Sequence, residues 1–164
     1  MLLRCLHRCE EAFIRLLLVS MTLLVFFETV LRFGFNTGLL WAQEVTLYLA
    51  AWFVLFGASY GIRVGAHIGV DAFIRRLPDT HQRRISAIAI VLCLVYCGLF
   101  LYGGWIYLAK VKMIELEMED LPIQKWIPMS VLVIGFILLA ARLLSLFFQV
   151  ITGKTNGFNI ADKN

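Results

Sequence analysis

The chain has 164 residues, of which 61% are hydrophobic, and its mean hydropathy is +0.85. One soluble core of this size cannot bury so many apolar side chains, so the composition excludes a soluble globular domain and indicates a protein dissolved in a lipid bilayer. The formal net charge is +4, but the basic residues lie beside long apolar runs, where anionic lipid headgroups are nearer than any nucleic acid. We therefore expect contacts with membrane lipids and no nucleic-acid partner.

Four runs are long and apolar enough to cross about 30 Å of hydrocarbon as α-helices. They cover about residues 13–35, 42–62, 85–109 and 126–151. The sequence therefore predicts an all-α integral membrane protein with four transmembrane helices, in which residues 1–164 form a single membrane domain. The first run is longer than the apolar core of a secretory signal, and no small-residue cleavage site follows it, so we expect it to stay uncleaved.

The positions of Lys and Arg predict the orientation, because cytoplasmic loops of membrane proteins are enriched in these residues. Most of them fall on one side of the predicted bundle, namely Arg4, Arg8, Arg15, Arg63, Arg75, Arg76, Arg83, Arg84, Lys154 and Lys163. On the other side, the connection over residues 110–125 is acidic. Trp41, Trp105 and Trp126 fall at this predicted outer interface, which indole rings prefer. The sequence thus predicts a multi-pass protein of the bacterial inner membrane with both termini in the cytoplasm.

The connection between the second and third spans has a pattern of its own. Between residues 68 and 77, apolar side chains alternate with charged ones, and Pro78 follows. This pattern predicts a short amphipathic helix over about residues 68–77 that lies at the membrane interface. An irregular solvated loop is the alternative.

Ionisable residues within the predicted spans are the first functional candidates, because charge in the bilayer is costly. They are Glu28, Arg32 and Arg142. Glu28 and Arg32 are four residues apart on one helix face, where they can form an ion pair. Three roles stay open for Glu28: a structural ion pair, an interface with another subunit, and coupling to a proton or cation.

Gly57, Gly61 and Gly65 repeat at a spacing of four residues, which lets another helix approach the second span closely. That helix can belong to this chain or to another. The middle of each span lacks the Gly or Pro breaks that transporters use to bind substrate, so we expect no substrate pathway in this chain alone. No histidine lies in a span to hold a haem, and no nucleophile–base pair stands out. We therefore expect neither a cofactor, a metal nor an enzyme activity.

Several residues combine into one pattern, which consists of Trp41, Glu44, Gly57-Ala58, Arg63, the run from His67 to Asp71 and Leu77-Pro78. This pattern resembles a known family, the small membrane subunit of tripartite ATP-independent periplasmic (TRAP) transporters. It extends into residues 121–128, so the resemblance covers most of the chain. Position 43 differs, because the family often has a second acid where this chain has Gln43.

The resemblance implies a four-helix subunit bound to a large membrane subunit that carries the sodium and substrate sites and moves as an elevator. A soluble periplasmic binding protein would deliver an organic acid, and the small subunit would act as a scaffold. The candidate interface or structural residues are Glu28, Arg32, Trp41, Glu44, Gly57, Gly61, Arg63, His67 and Asp71. The candidates for docking the periplasmic protein are Glu115, Glu117, Glu119 and Asp120, for which a merely solvated loop is the alternative.

Two other functions are weighed against this one. A small self-associating multidrug cation exporter would use Glu28, although such exporters are shorter. A quinone-linked thiol oxidase matches the helix number and the four cysteines, but it needs cysteines in the outer connections, and neither of these contains one. The first and second spans are the expected partner face, because Glu28, Arg32, Glu44 and the glycine run lie there.

Overall fold

The computed structural model describes the backbone of residues 2–64 and 79–152, and the side chains of residues 8–64 and 81–152. The predicted interfacial helix over residues 68–77 lies outside the described residues, as do His67 and Asp71. That helix, and the orientation of the termini, therefore stay predictions.

The described residues form five helices. They are α1 (Leu2–Gly34), α2 (Leu40–Val64), α3 (Asp79–Met113), α4 (Trp126–Met129) and α5 (Val131–Ile151). Four stretches are long and apolar enough to cross a membrane, namely Arg8–Gly34, Leu40–Val64, His81–Met113 and, across α4 and α5, Trp126–Ile151. The prediction of an all-α protein with four membrane-spanning helices is confirmed.

Two of the helices extend well beyond the apolar runs that predicted them. α1 begins at Leu2 rather than near residue 13, and α3 covers Asp79–Met113 rather than 85–109. The added turns are rich in Arg, Glu, Leu and Lys, which are good helix formers without being apolar. Hydropathy locates the part of a helix that lies in the bilayer, whereas it does not locate the ends of the helix.

The helices pack side by side in the order α1, α2, α5, α3. Because α5 lies between α2 and α3, it supplies more buried side chains than any other described helix, including Leu143, Leu146 and Val150. Ile62 of α2 and Ile90 of α3 complete this core. The outward faces of α1 and α3 stay exposed along much of their length. The bundle has two ends. The one at which α1 begins and α5 stops is called the terminal end. The opposite one, which holds the connections 35–39 and 114–125, is called the far end.

Two glycines allow the close approach of neighbouring helices. A Cβ atom at Gly135 of α5 would lie 2.7 Å from Leu55 Cβ of α2, and one at Gly104 of α3 would lie 2.7 Å from Leu132 Cδ2 of α5. At Gly135 a larger residue would force α5 and α2 apart, because the backbone fixes the position of Leu55 Cβ, whereas at Gly104 the end of the Leu132 side chain would have to move. The internal packing therefore depends on Gly104 and Gly135, which the sequence pattern did not single out.

Trp52 lies in the middle of α2, where packing rather than interfacial anchoring is the predicted role. Its ring lies 5.6 Å from the ring of Phe56 and 6.2 Å from that of Phe13 on α1. Its indole Nε1 donates a hydrogen bond of 3.2 Å to the carbonyl oxygen of Pro128 in α4. Trp52 thus joins α1, α2 and α4, and its only polar atom has a partner within the apolar layer.

Candidate functional site

The acidic connection at the far end is a folded hairpin. Glu117 and Gln124 form an antiparallel bridge, and Met118 N donates to Ile123 O at 2.9 Å. The Met118 side chain is buried, with 8% exposure, and anchors the hairpin on the helices. We call residues 114–125 the acidic hairpin. The described backbone of this connection is therefore a hairpin, and its acidic residues occupy defined places along it.

Glu44 of α2 holds the tip of the acidic hairpin through the backbone. Its Oε2 accepts hydrogen bonds from Glu119 N at 3.1 Å and from Asp120 N at 3.3 Å, and its Oε1 lies 3.4 Å from Glu119 N. An ionised acceptor makes such bonds stronger than those between neutral groups. Glu44 therefore ties α2 to the hairpin and uses no side chain of the hairpin to do so.

The acidic side chains of the hairpin point outward. Glu119 is 86% exposed in its side chain, and its carboxylate lies 3.8 Å from Lys125 Nζ. Glu115, Glu117 and Asp120 are also exposed. Glu115 adopts a positive φ of 50° at the turn out of α3. The far end therefore presents several exposed carboxylates on a hydrogen-bonded hairpin.

Glu28 and Arg32 of α1 lie beside this surface. Glu28 Oε1 is 3.6 Å from Arg32 Nη1, and the two side chains are 22% and 65% exposed, respectively. With Gln43 and Glu44 they line an open cleft of about 910 Å³. The cleft continues past Val25 toward the apolar layer. The structure thus brings Glu28, Arg32 and Glu44 together with the hairpin, while Trp41 lies 36% exposed at the start of α2.

The small-residue face of α2 has no neighbour among the described residues. A Cβ atom at Gly57 or Gly61 would meet nothing within 4 Å. Gly57 and Gly61 therefore do not serve helix packing within the described part of the chain, and Gly65 lies outside the described residues.

Arg63 belongs to a buried ion cluster at the terminal end. Glu10 Oε2 lies 3.2 Å from Arg63 Nη1 and 2.6 Å from Arg142 Nη2, and Glu11 Oε1 lies 2.8 Å from Arg63 Nη2. The side chains of Glu10, Arg63 and Arg142 are only 9%, 18% and 19% exposed. These four residues, the terminal cluster, join α1, α2 and α5. Charges removed from water to this degree are stable only when paired.

The sequence pattern indicated Arg142 and Arg63 but not their acidic partners. The signal was present, because an arginine inside an apolar span requires an acid at the same depth. Since α1 and α2 are antiparallel, the start of α1 lies beside the end of α2. Glu10 and Glu11 were therefore the acids that could reach Arg63.

Arg83 of α3 is a second feature that the sequence did not reveal. Its Nη2 donates to Val150 O at 2.9 Å and to Ile151 O at 3.0 Å. The last carbonyls of a helix lack partners within the helix, so Arg83 caps α5 from the neighbouring helix. This fixes the two helices to each other at the terminal end. Among the described residues, no three His, Cys, Asp or Glu side chains are grouped to hold a metal ion.

The family described as "Tripartite ATP-independent periplasmic transporters, DctQ component" matches residues 21–153 of the chain. The chain belongs to the DctQ family. The match covers the second half of the first span and the whole of the other three, and it ends just beyond α5. The resemblance found in the sequence is thereby confirmed.

Individual DctQ proteins are similar to this chain over most of their length. A C4-dicarboxylate TRAP transporter small permease protein of Vibrio cholerae is 34% identical over 167 residues, covering 88% of this chain and 72% of that protein. The proteins of the same description from Pseudomonas aeruginosa and Rhodobacter capsulatus are each 27% identical, and this chain spans 89% and 78% of them.

This DctQ chain is therefore a small permease subunit of a TRAP-type transporter and a multi-pass membrane protein. A family of permease subunits is not a class of enzymes. The matches support neither the multidrug exporter nor the thiol oxidase.

Proposed function

We propose that this subunit is a static scaffold for a large TRAP membrane subunit, which carries the substrate and sodium sites. The observation that supports it most is the distribution of charge. Within the described spans, acidic and basic side chains lie toward the two ends, except for Arg142 of α5, which is paired with Glu10 of α1. The core between the two ends consists of residues such as Ile90, Cys97 and Phe136. A substrate path through this chain would need polar groups or broken helices at mid-depth.

Charged residues lie at two levels of the bundle, one near the terminal end and one near the far end. The distance between these two charged levels supports a transmembrane position. Glu10 and Glu28 are 18 residues apart in α1, and Glu44 and Arg63 are 19 residues apart in α2. At 1.5 Å per residue these separations are about 27 Å and 28 Å, close to the thickness of the hydrocarbon core. The basic connections favour the bacterial inner membrane, with the terminal end in the cytoplasm and the far end in the periplasm.

The family supports a proposal for the substrate class and for a third component, a periplasmic binding protein. The similar proteins of Vibrio cholerae, Pseudomonas aeruginosa and Rhodobacter capsulatus are named for C4-dicarboxylates, so we propose an organic acid of that class as the substrate. A periplasmic binding protein would deliver it. We propose that this protein docks at the far end, where the acidic hairpin presents outward carboxylates.

Affinity purification of the tagged chain from its native membrane, in mild detergent, tests the scaffold. We expect a much larger multi-span protein to co-purify in equal amount. Uptake of labelled C4-dicarboxylates should stop when this chain is deleted and return when it is restored. If the chain purifies alone or as a homodimer, the scaffold is wrong. If the complex forms but the strain takes up C4-dicarboxylates normally without this chain, only the substrate class or the requirement for the subunit is wrong.

A further inference from the structure

Glu44 differs from the other acidic groups of the far end in what it contacts. Its carboxylate accepts the backbone N–H groups of Glu119 and Asp120, at distances of 3.1 to 3.4 Å. It lies on a long membrane-spanning helix, whereas the two donors lie at the tip of a hairpin supported by one bridge, between Glu117 and Gln124. Glu44 thus forms a polar link between the tip and α2, in addition to the anchor provided by buried Met118.

We propose that Glu44 is a positioning residue, which orients the acidic hairpin for the periplasmic binding protein and does not itself contact that protein. This inference rests on the proposed docking at the far end. Because the bonds use backbone donors, they do not occupy the carboxylates of Glu119 and Asp120. The Glu119 side chain is 86% exposed, and its carboxylate lies 3.8 Å from Lys125 Nζ. Glu44 itself is only partly exposed.

A preordered hairpin gains affinity for a physical reason. A loop that becomes ordered only on binding loses conformational entropy at that moment, and this cost weakens the complex. With its tip bound to Glu44, its Met118 buried and its bridge formed, the hairpin has lost that entropy beforehand. Releasing the tip should therefore weaken docking although every outward carboxylate remains.

Two substitutions separate positioning from charge. Glu44→Ala removes both the acceptor and the charge, whereas Glu44→Gln removes the charge and keeps a carbonyl oxygen that can accept an N–H. Gln43→Ala, at the exposed neighbouring position, is the matched control. Each variant is prepared in the assembled complex with the large subunit, in nanodiscs, together with the purified periplasmic binding protein.

Hydrogen exchange of the hairpin amides and the affinity for the binding protein are measured on the same samples. For Glu44→Ala we expect exchange in residues 117–124 to become about tenfold faster, since bonds to a charged acceptor are lost. The Kd for the binding protein should rise about tenfold, while the yield of the complex with the large subunit stays unchanged. Glu44→Gln should lose less on both measures, and Gln43→Ala should match the wild type.

Three outcomes would overturn the positioning role: unchanged exchange in Glu44→Ala, faster exchange with unchanged affinity, or equal losses in Glu44→Gln and Glu44→Ala. Loss of the large subunit from the complex would place Glu44 in that interface instead and would also overturn it. Failure of the docking surface is recognised separately. In that case, the Glu117→Gln/Asp120→Asn variant, which removes outward carboxylates and leaves Glu44 in place, would bind as tightly as the wild type.

Discussion

Glu10 is the residue whose loss should most weaken the terminal cluster. It accepts from two arginines, at 2.6 Å from Arg142 and 3.2 Å from Arg63, and its side chain is 9% exposed. In Glu10→Gln, Arg63 keeps Glu11 at 2.8 Å, whereas Arg142 loses the only ion pair that it forms among the described residues. Leaving one buried charge without its partner typically costs about 3 to 5 kcal/mol. Because both arginines retain some exposure, we expect the lower value, about 3 kcal/mol.

The measurement is the unfolding free energy of the purified subunit in mild detergent, by titration with a denaturing detergent and circular dichroism. Glu11→Gln is the matched control, because Glu11 is 32% exposed and Arg63 retains Glu10 without it. This control should cost about 1 kcal/mol or less. The double variant Glu10→Gln/Arg142→Gln should be less destabilised than the sum of the single variants, since it leaves no unpaired arginine. Equal, small losses in Glu10→Gln and Glu11→Gln would refute this reasoning.

Three further expectations concern packing, capping and orientation. Gly135→Ala should destabilise the subunit by about 1 to 3 kcal/mol in the same unfolding assay, because its Cβ would collide with α2. The control Gly57→Ala should be neutral or slightly stabilising. Equal losses in the two variants would contradict the described helix packing. Arg83→Met should speed hydrogen exchange at the end of α5 in the purified subunit, while Arg84→Met, at an exposed position, should not; unchanged exchange in Arg83→Met would remove its capping role. A cysteine placed by Glu117→Cys should react with a membrane-impermeant maleimide in intact spheroplasts, and protection until the cells are lysed would reverse the proposed orientation.

The sequence predicted the membrane layer well because apolar length is a strong and local signal. Four apolar runs near the length of a bilayer span sufficed to predict four helices, and the described residues contain four helices of that kind. The neighbour order α1, α2, α5, α3 was not predictable, because it depends on contacts between residues far apart in the chain. Gly104 and Gly135 illustrate this. Neither belongs to a repeated small-residue pattern, yet both lie at close helix contacts.

The partner of a charged residue could be predicted when both lie on the same helix, but not when they lie far apart in the chain. Glu28 and Arg32 are on the same helix, so their spacing alone indicated the 3.6 Å pair. The bond from the Asp120 backbone to Glu44 joins residues 76 positions apart and uses a backbone donor, which no residue pattern can reveal. The Glu10–Arg142 pair is separated by 132 positions and required the packing of α1 near α5 to be known.

The lengths of the helices explain why Arg142 depends on Glu10. In α1 and α2 the two charged levels are separated by about 27 to 28 Å, which matches the hydrocarbon core. The span Trp126–Ile151 has 26 residues and would be about 39 Å long, so its excess must be taken up by tilt or by projection beyond the bilayer. After Arg142 the helix continues to Ile151 through mainly apolar residues, so this arginine is not at the polar end of its own helix. Its charge is therefore satisfied by Glu10 from α1 rather than by the water at the membrane surface.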